Sequence, residues 1–184
     1  MNIEIRKAKP EEAEQIIDIN IKVWNSTYKN IISQKIIDKL QFKDDERIRN
    51  KEKSLKEKNN TYIALVDGKI VGFHTFGKTR FDEYPNAGEI YAGYILDEYQ
   101  GLGLGRKMAI ACMKELLDNG YTELITACLV GNPSNEYHKS LGGVLVEQKE
   151  FTPLGIYVGM ENVYFHRNLK KTLDYNLEKE KNII

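Results

Sequence analysis

Residues 89–107 read Glu-Ile-Tyr-Ala-Gly-Tyr-Ile-Leu-Asp-Glu-Tyr-Gln-Gly-Leu-Gly-Leu-Gly-Arg-Lys, and this stretch decides the fold. Its first part, Glu89 to Leu96, is rich in Ile and Tyr and predicts a strand. A polar corner follows, and glycines then occupy alternate positions from Gly101 to Gly105. From Leu104 onward the apolar residues recur at helical spacing. The stretch therefore predicts a strand, a glycine turn and a helix in succession.

A glycine turn that opens a helix is a good place to bind an anion. The N–H groups in the first turn of a helix lack partners within it, and the helix dipole favours negative charge there. Glycines allow close approach to a phosphate and adopt positive φ at little cost. We therefore expect residues 101–106 to hold a phosphate-bearing ligand. The alternative is a glycine-rich connection without a ligand.

The composition is that of an ordinary soluble globular protein. The 184 residues are 41% hydrophobic and 29% charged, which suits one domain with a sizeable core. The 27 basic residues balance the 27 acidic ones, so no global field favours nucleic acid or a membrane surface. No apolar run approaches the ~20 residues of a membrane span, and the first residues do not resemble a signal peptide.

The two cysteines, Cys112 and Cys128, have no metal-type or redox-motif spacing. We interpret both as small buried hydrophobic residues. Free thiols of this kind indicate a reducing compartment, and we expect the protein to be cytoplasmic.

The rest of the chain predicts a mixed α/β arrangement. Asp67-Gly68 is a short hairpin signal, and Asn119-Gly120 is a signal for a helix end. The element order is β-α-α-β-β-β-α-β-α-β-β, which predicts a mixed sheet with helices on both faces. The second helical region spans about 33–58, and residues 168–184 form an amphipathic helix or a frayed tail. The predicted strands outside the opening stretch span about 2–6, 61–66, 69–76, 121–130, 144–151 and 156–165.

Two common phosphate-binding motifs do not fit the glycine turn. A dinucleotide fold requires Gly-x-Gly-x-x-Gly near the start of a parallel βαβ unit, whereas the spacing here is Gly-x-Gly-x-Gly in mid-chain. A P-loop requires Gly-Lys followed by Ser or Thr, whereas Met108 follows Arg106-Lys107. The dinucleotide motif is excluded by the glycine spacing, and the P-loop is excluded because Met108 replaces its Ser or Thr.

The pattern that fits is Gln100-x-x-Gly103-x-Gly105 after a strand and at the start of a helix. It resembles the acyl-CoA signature of the GNAT superfamily of N-acetyltransferases, Gln/Arg-x-x-Gly-x-Gly/Ala. Three further segments are similar to family members and come in the same order: Trp24-x-x-x-Tyr28, the run from Gly131 to Gly143, and the closing run from Glu161 to Leu169.

The resemblance covers about residues 2–169. It implies a mixed, mostly antiparallel central sheet flanked by helices on both faces, in the α/β (α+β) class. It also implies a single domain over residues 1–169, with 170–184 as a charged C-terminal helix or tail.

What the resemblance implies for the acyl donor is acetyl-CoA held by two backbone segments. The exposed edge of Gly93, Tyr94 and Ile95 would bond the pantetheine, and one N–H there would stabilise the oxyanion. Gly93 in mid-strand marks a bulge or a close approach, or is merely tolerated. Asn132 would serve the CoA arm or cap the next helix. Gln100 would also contact CoA, and the pyrophosphate would be held by the amides of Gly101, Leu102, Gly103, Leu104, Gly105 and Arg106.

Proton transfer is the second chemical requirement, because an alkyl amine of pKa about 10.4 must lose a proton before it attacks. Glu89 lies where the family's histone-acetylating branch has a general-base glutamate that works through water; the alternative is a rim carboxylate that attracts cations. At the position of the family's general acid, usually Tyr, this chain has His138. His138 or its neighbour Tyr137 would then protonate the thiolate, or the protein would have no dedicated acid.

The acceptor half is less specific. Trp24, Tyr28 and Tyr84, with Phe81, lie in segments that flank the acceptor pocket in the family, although core packing is the alternative for Trp24. His74 and His166 lack partners at ligand spacing, so we expect no metal.

We therefore predict an N-acetyltransferase that moves acetyl from acetyl-CoA to a primary amine by direct attack in a ternary complex. The acceptor is a small molecule or a peptide, without nucleic acid or membrane, and a homodimer is possible. The alternatives are an acyl-CoA sensor with little or no turnover and a phosphate-binding domain unrelated to CoA.

Overall fold

The computed structural model describes residues 1–181. Within that range the chain forms seven strands and six α-helices, joined by short 3-10 turns. The strands are β1 Ile3–Lys7, β2 Thr61–Val66, β3 Lys69–Lys78, β4 Ala87–Ile95, β5 Glu123–Leu129, β6 Val144–Phe151 and β7 Gly159–His166. The helices are α1 Ala13–Thr27, α2 Gln34–Leu40, α3 Asp45–Lys58, α4 Leu104–Asp118, α5 Asn135–Ser140 and α6 Leu169–Lys181.

The strands form one sheet in the order β1-β2-β3-β4-β5-β7-β6. The β4–β5 pair is parallel, whereas β1–β2, β2–β3, β5–β7 and β6–β7 are antiparallel. This confirms the predicted mixed, mostly antiparallel sheet flanked by helices.

The chain forms two compact units. The first contains Met1–Thr75 and Ala92–Met108, and the second contains Phe76–Tyr91 and the described residues from Ala109 onward. The first has a core built from α1, α3, β2, β3 and the start of α4, which includes Ile16, Ile63 and Met108. In the second, Ala87, Ile125 and Val163 pack with Phe81. The prediction of a single domain over residues 1–169 stays a prediction.

The hairpin between β2 and β3 forms as its turn residues predicted. Val66 pairs with Lys69, which leaves a two-residue loop. Asp67 has φ of 48° and Gly68 has φ of 80°. Positive φ at both central residues is the type I′ geometry that matches the twist of the flanking strands.

The second helical region differs from its prediction, because it is two helices rather than one. Asp44 has extended backbone and its Oδ1 accepts the N–H of Arg47 at 2.8 Å, which starts α3. The Arg47 guanidinium donates to the carbonyls of Leu40 and Phe42 at the end of α2. The break between α2 and α3 is therefore stabilised by the cap at Asp44 and by the contacts of Arg47.

The C-terminal segment is a helix that packs on its own unit. Asn168 accepts the N–H of Lys171 at 2.9 Å and so caps α6. Leu169, Leu173 and Asn176 are buried, and Asn176 donates its Nδ2 to the carbonyl of Leu141 at 2.9 Å. The last three residues of the predicted tail, 182–184, lie outside the described residues.

No helix within residues 1–181 combines the length and the apolar character that crossing a membrane requires.

Candidate active site

The glycine turn lies in the first unit, between the end of β4 and the start of α4. Gly101 has φ of 78° and Gly103 has φ of 74°, a conformation in which a side chain is strained. A Cβ built on either residue meets no atom within 4 Å. The backbone conformation, rather than crowding, therefore requires these glycines, and the space over them is open.

The helix that follows directs backbone donors out of its first turn. α4 begins at Leu104, and Lys107 donates its N–H to the carbonyl of Gly103 at 3.1 Å. The N–H groups of Leu104 and Gly105 precede that bond and have no carbonyl one turn earlier within the helix. The N-terminus of α4 thus has the geometry and the dipole to hold a phosphate.

Gln100 braces this loop against the end of β4. Its Nε2 lies 3.2 Å from the carbonyl of Ile95 and 3.1 Å from Oδ1 of Asp97. Leu96 in turn donates its N–H to the carbonyl of Val71 at 2.9 Å. The side chain of Gln100 therefore positions the loop, and its predicted contact with CoA stays a prediction.

The mid-strand glycine of β4 is explained by a close approach. A Cβ on Gly93 would lie 2.6 Å from Nε2 of His74, and a Cβ on Gly72 would lie 2.8 Å from the carbonyl oxygen of Tyr94. His74 is buried in β3, with 3% of its surface exposed. No role for His74 was predicted from the sequence, apart from its lack of partners for a metal site. Its only sequence signal is a histidine within an otherwise apolar strand.

Trp24, Tyr28 and Tyr94 form one aromatic cluster in the first unit. Trp24 donates its Nε1–H to the hydroxyl of Tyr94 at 2.9 Å. The rings of Trp24 and Tyr28 lie 4.8 Å apart, and both residues are buried. The cluster joins α1 to the segment predicted to bind pantetheine. Contact of Trp24 or Tyr28 with an acceptor stays a prediction.

Glu89 lies in the second unit and is fully buried, with 0% of its surface exposed. Its Oε2 accepts the N–H of Arg80 at 2.7 Å and the hydroxyl of Thr79 at 3.2 Å. Its Oε1 accepts Nε of Arg80 at 2.8 Å and lies 2.7 Å from Nη2. Each carboxylate oxygen thus already accepts two donors. To act as a general base, Glu89 would have to exchange one of these donors for the amine or a water molecule.

A second buried carboxylate shares the same guanidinium. Oε1 of Glu161 lies 3.5 Å from Nη1 of Arg80, and burial raises the pKa of Glu161. The guanidinium also lies over the rings of Phe81 and Phe151. Both buried acids therefore lie against the Arg80 guanidinium. No role for Arg80 or Glu161 was predicted from the sequence.

His138 lies between two tyrosine rings in the second unit. Its ring stacks on Tyr164 with centroids 5.5 Å apart and meets the edge of Tyr137 at 5.4 Å. Burial lowers the pKa of His138 to about 4, so the imidazole is neutral at neutral pH. Proton donation from an imidazolium would therefore require a change in this environment. The acid roles of His138 and Tyr137 stay predictions.

Asn132 and Tyr84 both have partners within the second unit. Oδ1 of Asn132 accepts the N–H of Ser134 at 2.8 Å. The N-cap residue of α5 is Ser134, so the alternative in which Asn132 caps this helix is wrong, and Asn132 instead forms a turn ahead of it. Tyr84 donates its hydroxyl to Glu147 at 2.7 Å. Burial raises the pKa of Tyr84 to about 12, and the bond to Glu147 adds to the effect. The roles of Asn132 and Tyr84 toward ligands stay predictions.

Both cysteines are buried and reduced, as predicted. Burial raises the pKa of the Cys128 thiol to about 12, so it is a poor nucleophile. Within residues 1–181 no cluster of three His, Cys, Asp or Glu side chains has the arrangement to hold a metal ion.

Comparison with known proteins agrees with this geometry. Residues 24–142 match the model of the acetyltransferase (GNAT) family. Over 155 residues the chain is 28% identical to the uncharacterized N-acetyltransferase YuaI of Bacillus subtilis (strain 168), which covers 84% of this chain and 87% of that protein.

Solved structures share the fold at low identity. PaiA N-acetyltransferase from Thermoplasma acidophilum, in complex with coenzyme A, superposes with a TM-score of 0.66 at 22% identity, covering 88% of this chain and 98% of the other. YncA from Salmonella typhimurium, a putative acetyltransferase with its cofactor acetyl-CoA, gives 0.66 at 20% identity, covering 92% and 95%. The family match spans more than half of the chain, and the chain therefore belongs to the GNAT family of acetyltransferases.

Proposed function

We propose that this acetyltransferase moves the acetyl group from acetyl-CoA to a primary amine by direct attack in a ternary complex. The proposal is carried by the geometry of the glycine loop that precedes α4. Gly101 and Gly103 have positive φ, and the space over both residues is empty. Solved structures of the same fold contain CoA or acetyl-CoA.

The residues of the first unit fit such a donor. The backbone of residues 101–106 would hold the pyrophosphate, because the helix N-terminus supplies N–H groups and a favourable dipole. The backbone of Gly93, Tyr94 and Ile95 would bond the pantetheine. An N–H of that segment would stabilise the oxyanion that forms when the amine attacks the thioester carbonyl.

The reaction requires that one proton leave the amine and that one reach the departing thiolate. The amine nitrogen bonds to the acyl carbon, the C–S bond breaks, and CoA leaves as a thiolate that takes up a proton. We propose Glu89 for the first transfer, through water, and His138 or Tyr137 for the second. Trp24, Tyr28 and Tyr84 are our proposed acceptor contacts, and Asn132 is a further proposed contact of the CoA arm.

A second candidate, an acyl-CoA sensor with little turnover, is favoured by two observations in the second unit. Glu89 already accepts four donors. The lowered pKa of His138 keeps its ring neutral at neutral pH. Both groups would then be structural, and the protein would bind acetyl-CoA without efficient transfer.

Partners and location follow the same proposal. The acceptor is a small-molecule or peptide amine, without nucleic acid or membrane, and a homodimer is possible. A cytoplasmic location, where acetyl-CoA and free thiols coexist, completes the proposal.

Acetyl-CoA is expected to raise the melting temperature of the wild-type protein, because a ligand that binds only the native state stabilises it by about 2.7 kcal/mol at 100 times Kd. Gly103→Ala should reduce the affinity at least tenfold, because its Cβ enters the open space over the loop. Gly120→Ala is the matched control: Gly120 has φ of 86°, its Cβ would also meet no atom within 4 Å, and it lies at the far end of α4.

Both substitutions should cost a similar stability, about 1–2 kcal/mol, because both place a side chain at positive φ. Only Gly103→Ala should show a clearly smaller thermal shift than the wild type at the same acetyl-CoA concentration. An equal shift in both variants would refute the proposed phosphate site, and no shift in the wild type would refute both candidate functions.

Turnover is expected when thiol release from acetyl-CoA is followed across a panel of polyamines, aminoglycosides, amino acids and peptides. With the best acceptor, Glu89→Gln and His138→Phe should each lower kcat by about 10²-fold or more, the usual contribution of general acid–base catalysis. Binding without release on any amine would favour the sensor. Unchanged kcat in both variants, with release intact, would refute our assignment of the two residues while preserving the reaction.

A further inference from the structure

The glycine at position 93 is required by the ring of His74 rather than by its own backbone conformation. The φ of Gly93 lies outside the left-handed region, so a residue with a side chain could adopt this conformation. A Cβ there would lie 2.6 Å from Nε2 and 2.8 Å from Cδ2 of His74, closer than a Cβ approaches other heavy atoms in proteins. Glycine within a strand weakens the strand and often marks such a close approach.

The imidazole that lies against Gly93 is itself confined. His74 belongs to β3, which lies between β2 and β4 in the sheet, and it pairs with Tyr62 of β2. Only 3% of its surface is exposed. A ring in a close-packed interior has little room to move. His74 therefore limits the movement of the Gly93 backbone.

The next residue of β4 is held from the other face of the sheet. The rings of Tyr94 and Phe73 lie 5.6 Å apart, and the Tyr94 hydroxyl accepts the Nε1–H of Trp24 at 2.9 Å. Neighbouring residues of a strand direct their side chains to opposite faces. Gly93 is thus restrained on one face and Tyr94 on the other.

The main chain of the same segment is restrained by a second glycine, on β3. A Cβ on Gly72 would lie 2.8 Å from the carbonyl oxygen of Tyr94 and 2.9 Å from Cγ1 of Ile95. Beyond Ile95, Leu96 donates its N–H to the carbonyl of Val71 at 2.9 Å. Residues 72 and 74 of β3 therefore meet residues 93–95 of β4 at unusually short distances.

We propose that His74 is a positioning residue for acetyl transfer, and that its ring holds the backbone of Gly93, Tyr94 and Ile95 in the conformation that stabilises the oxyanion. This inference rests on the proposed function, in which an N–H of the segment donates to the oxyanion. Such a donor is effective when it does not have to move as the charge develops. Glycine has the greatest backbone freedom of any residue, and His74 supplies the restraint that Gly93 lacks.

His74→Ala removes the restraint and is expected to lower kcat about tenfold, with the KM for acetyl-CoA changed less than about twofold, because the lost interaction is made only in the transition state. The thermal shift with acetyl-CoA should persist. Ile5→Ala is the matched control, because Ile5 packs against the same core from β1, two strands away from β3. Both variants should lower the urea midpoint, and only His74→Ala should lower kcat.

Gly93→Ala separates the contact from the positioning. In the wild-type background it should lower the melting temperature by several degrees, because its Cβ meets the ring of His74. In His74→Ala the same substitution should cost little, since the methyl group enters the space that the ring has left. Alanine also has less backbone freedom than glycine. The double variant should therefore recover kcat several-fold over His74→Ala, a rescue that a purely structural role of His74 would not produce.

Amide hydrogen exchange at residues 93–95, followed by NMR, measures the restraint without turnover. Exchange there should be about tenfold faster in His74→Ala than in Ile5→Ala, because local opening becomes easier. Equal exchange in the two variants would overturn the proposal, and so would faster exchange with unchanged kcat. Absence of turnover in the wild type on every amine would instead refute the proposed function, and the exchange rates would then decide whether His74 restrains the segment.

Discussion

Arg80→Met is expected to lower the free energy of unfolding by about 3 kcal/mol at pH 7.5, the low end of the cost of removing one partner from a buried ion pair. The low end applies because the Arg80 side chain is 39% exposed, and solvent screens its charge. The loss arises from two acids together. Glu89 loses the guanidinium, and Glu161 loses an ion-pair partner at 3.5 Å. Urea denaturation of the two proteins measures the difference.

The deficit of Arg80→Met should shrink as the pH falls. Burial already raises the pKa of Glu161 in the wild type, and an acid whose pKa is raised in the folded state disfavours folding as the pH rises through that value. Without Arg80, the Glu161 carboxyl group should take up a proton more readily on acidification, which relieves part of the cost. Arg80→Met/Glu89→Gln is the matched variant and should recover part of the stability at pH 7.5. A deficit independent of pH, with no recovery in the double variant, would contradict the argument.

The glycine turn was predictable because its cause is local. Positive φ at Gly101 and Gly103 follows from the residue type, and the start of α4 at Leu104 follows from the apolar spacing. The conformation of the hairpin likewise follows from its own turn residues, Asp67 and Gly68. These features make up the donor half of the candidate site, which the sequence therefore described in some detail.

The surroundings of the acids and histidines were not predictable, because their partners come from other elements: the loop after β3 for Glu89, and β7 for His138. Glu89 begins the predicted strand and resembles a rim carboxylate there. In the structure β4 begins earlier, at Ala87, and Glu89 is buried with Arg80 and the β7 residue Glu161 beside it. His138 resembles a surface residue on a short polar helix, but Tyr164 of β7 stacks on its ring. Gly93 predicted a close approach without revealing that His74 causes it. By contrast, the break before α3 had a local signal in Asp44, an N-cap residue that the sequence analysis did not use.

Mild acid is expected to destabilise the protein steeply, because buried His166 and half-buried His138 are both neutral in the folded state. Burial lowers the pKa of His138 and of His166 from 6.5 to about 4, and His138 adds to the shift of His166. Within the described residues neither nitrogen of His166 has a hydrogen-bond partner, and a Cβ on Gly143 would lie 2.9 Å from its Nε2. An imidazolium at His166 would therefore have no hydrogen-bond acceptor among the described residues.

The sign follows from the direction of the shift. Between pH 6.5 and 4 the unfolded chain binds more protons than the folded one, so stability falls as the pH falls through this window. A shift of this size corresponds to about 3 kcal/mol per histidine, and on the order of 5 kcal/mol for the coupled pair. That is comparable with the whole stability of a marginal domain. Glu12, whose pKa Arg6 lowers from 4.5, loses its contribution only below that value.

Urea midpoints measured from pH 7.5 to 4.5 test this expectation in the wild type, in His138→Phe and in His166→Leu. Each substitution removes one titrating ring, so each should roughly halve the loss of stability on acidification, whatever it does to stability at pH 7.5. Reading the slope against pH rather than the absolute midpoint separates titration from packing, because a packing defect shifts the whole curve without changing its slope. A wild-type slope in both variants would show that the two imidazoles are already solvated or paired when charged, and that other groups control the response to acid.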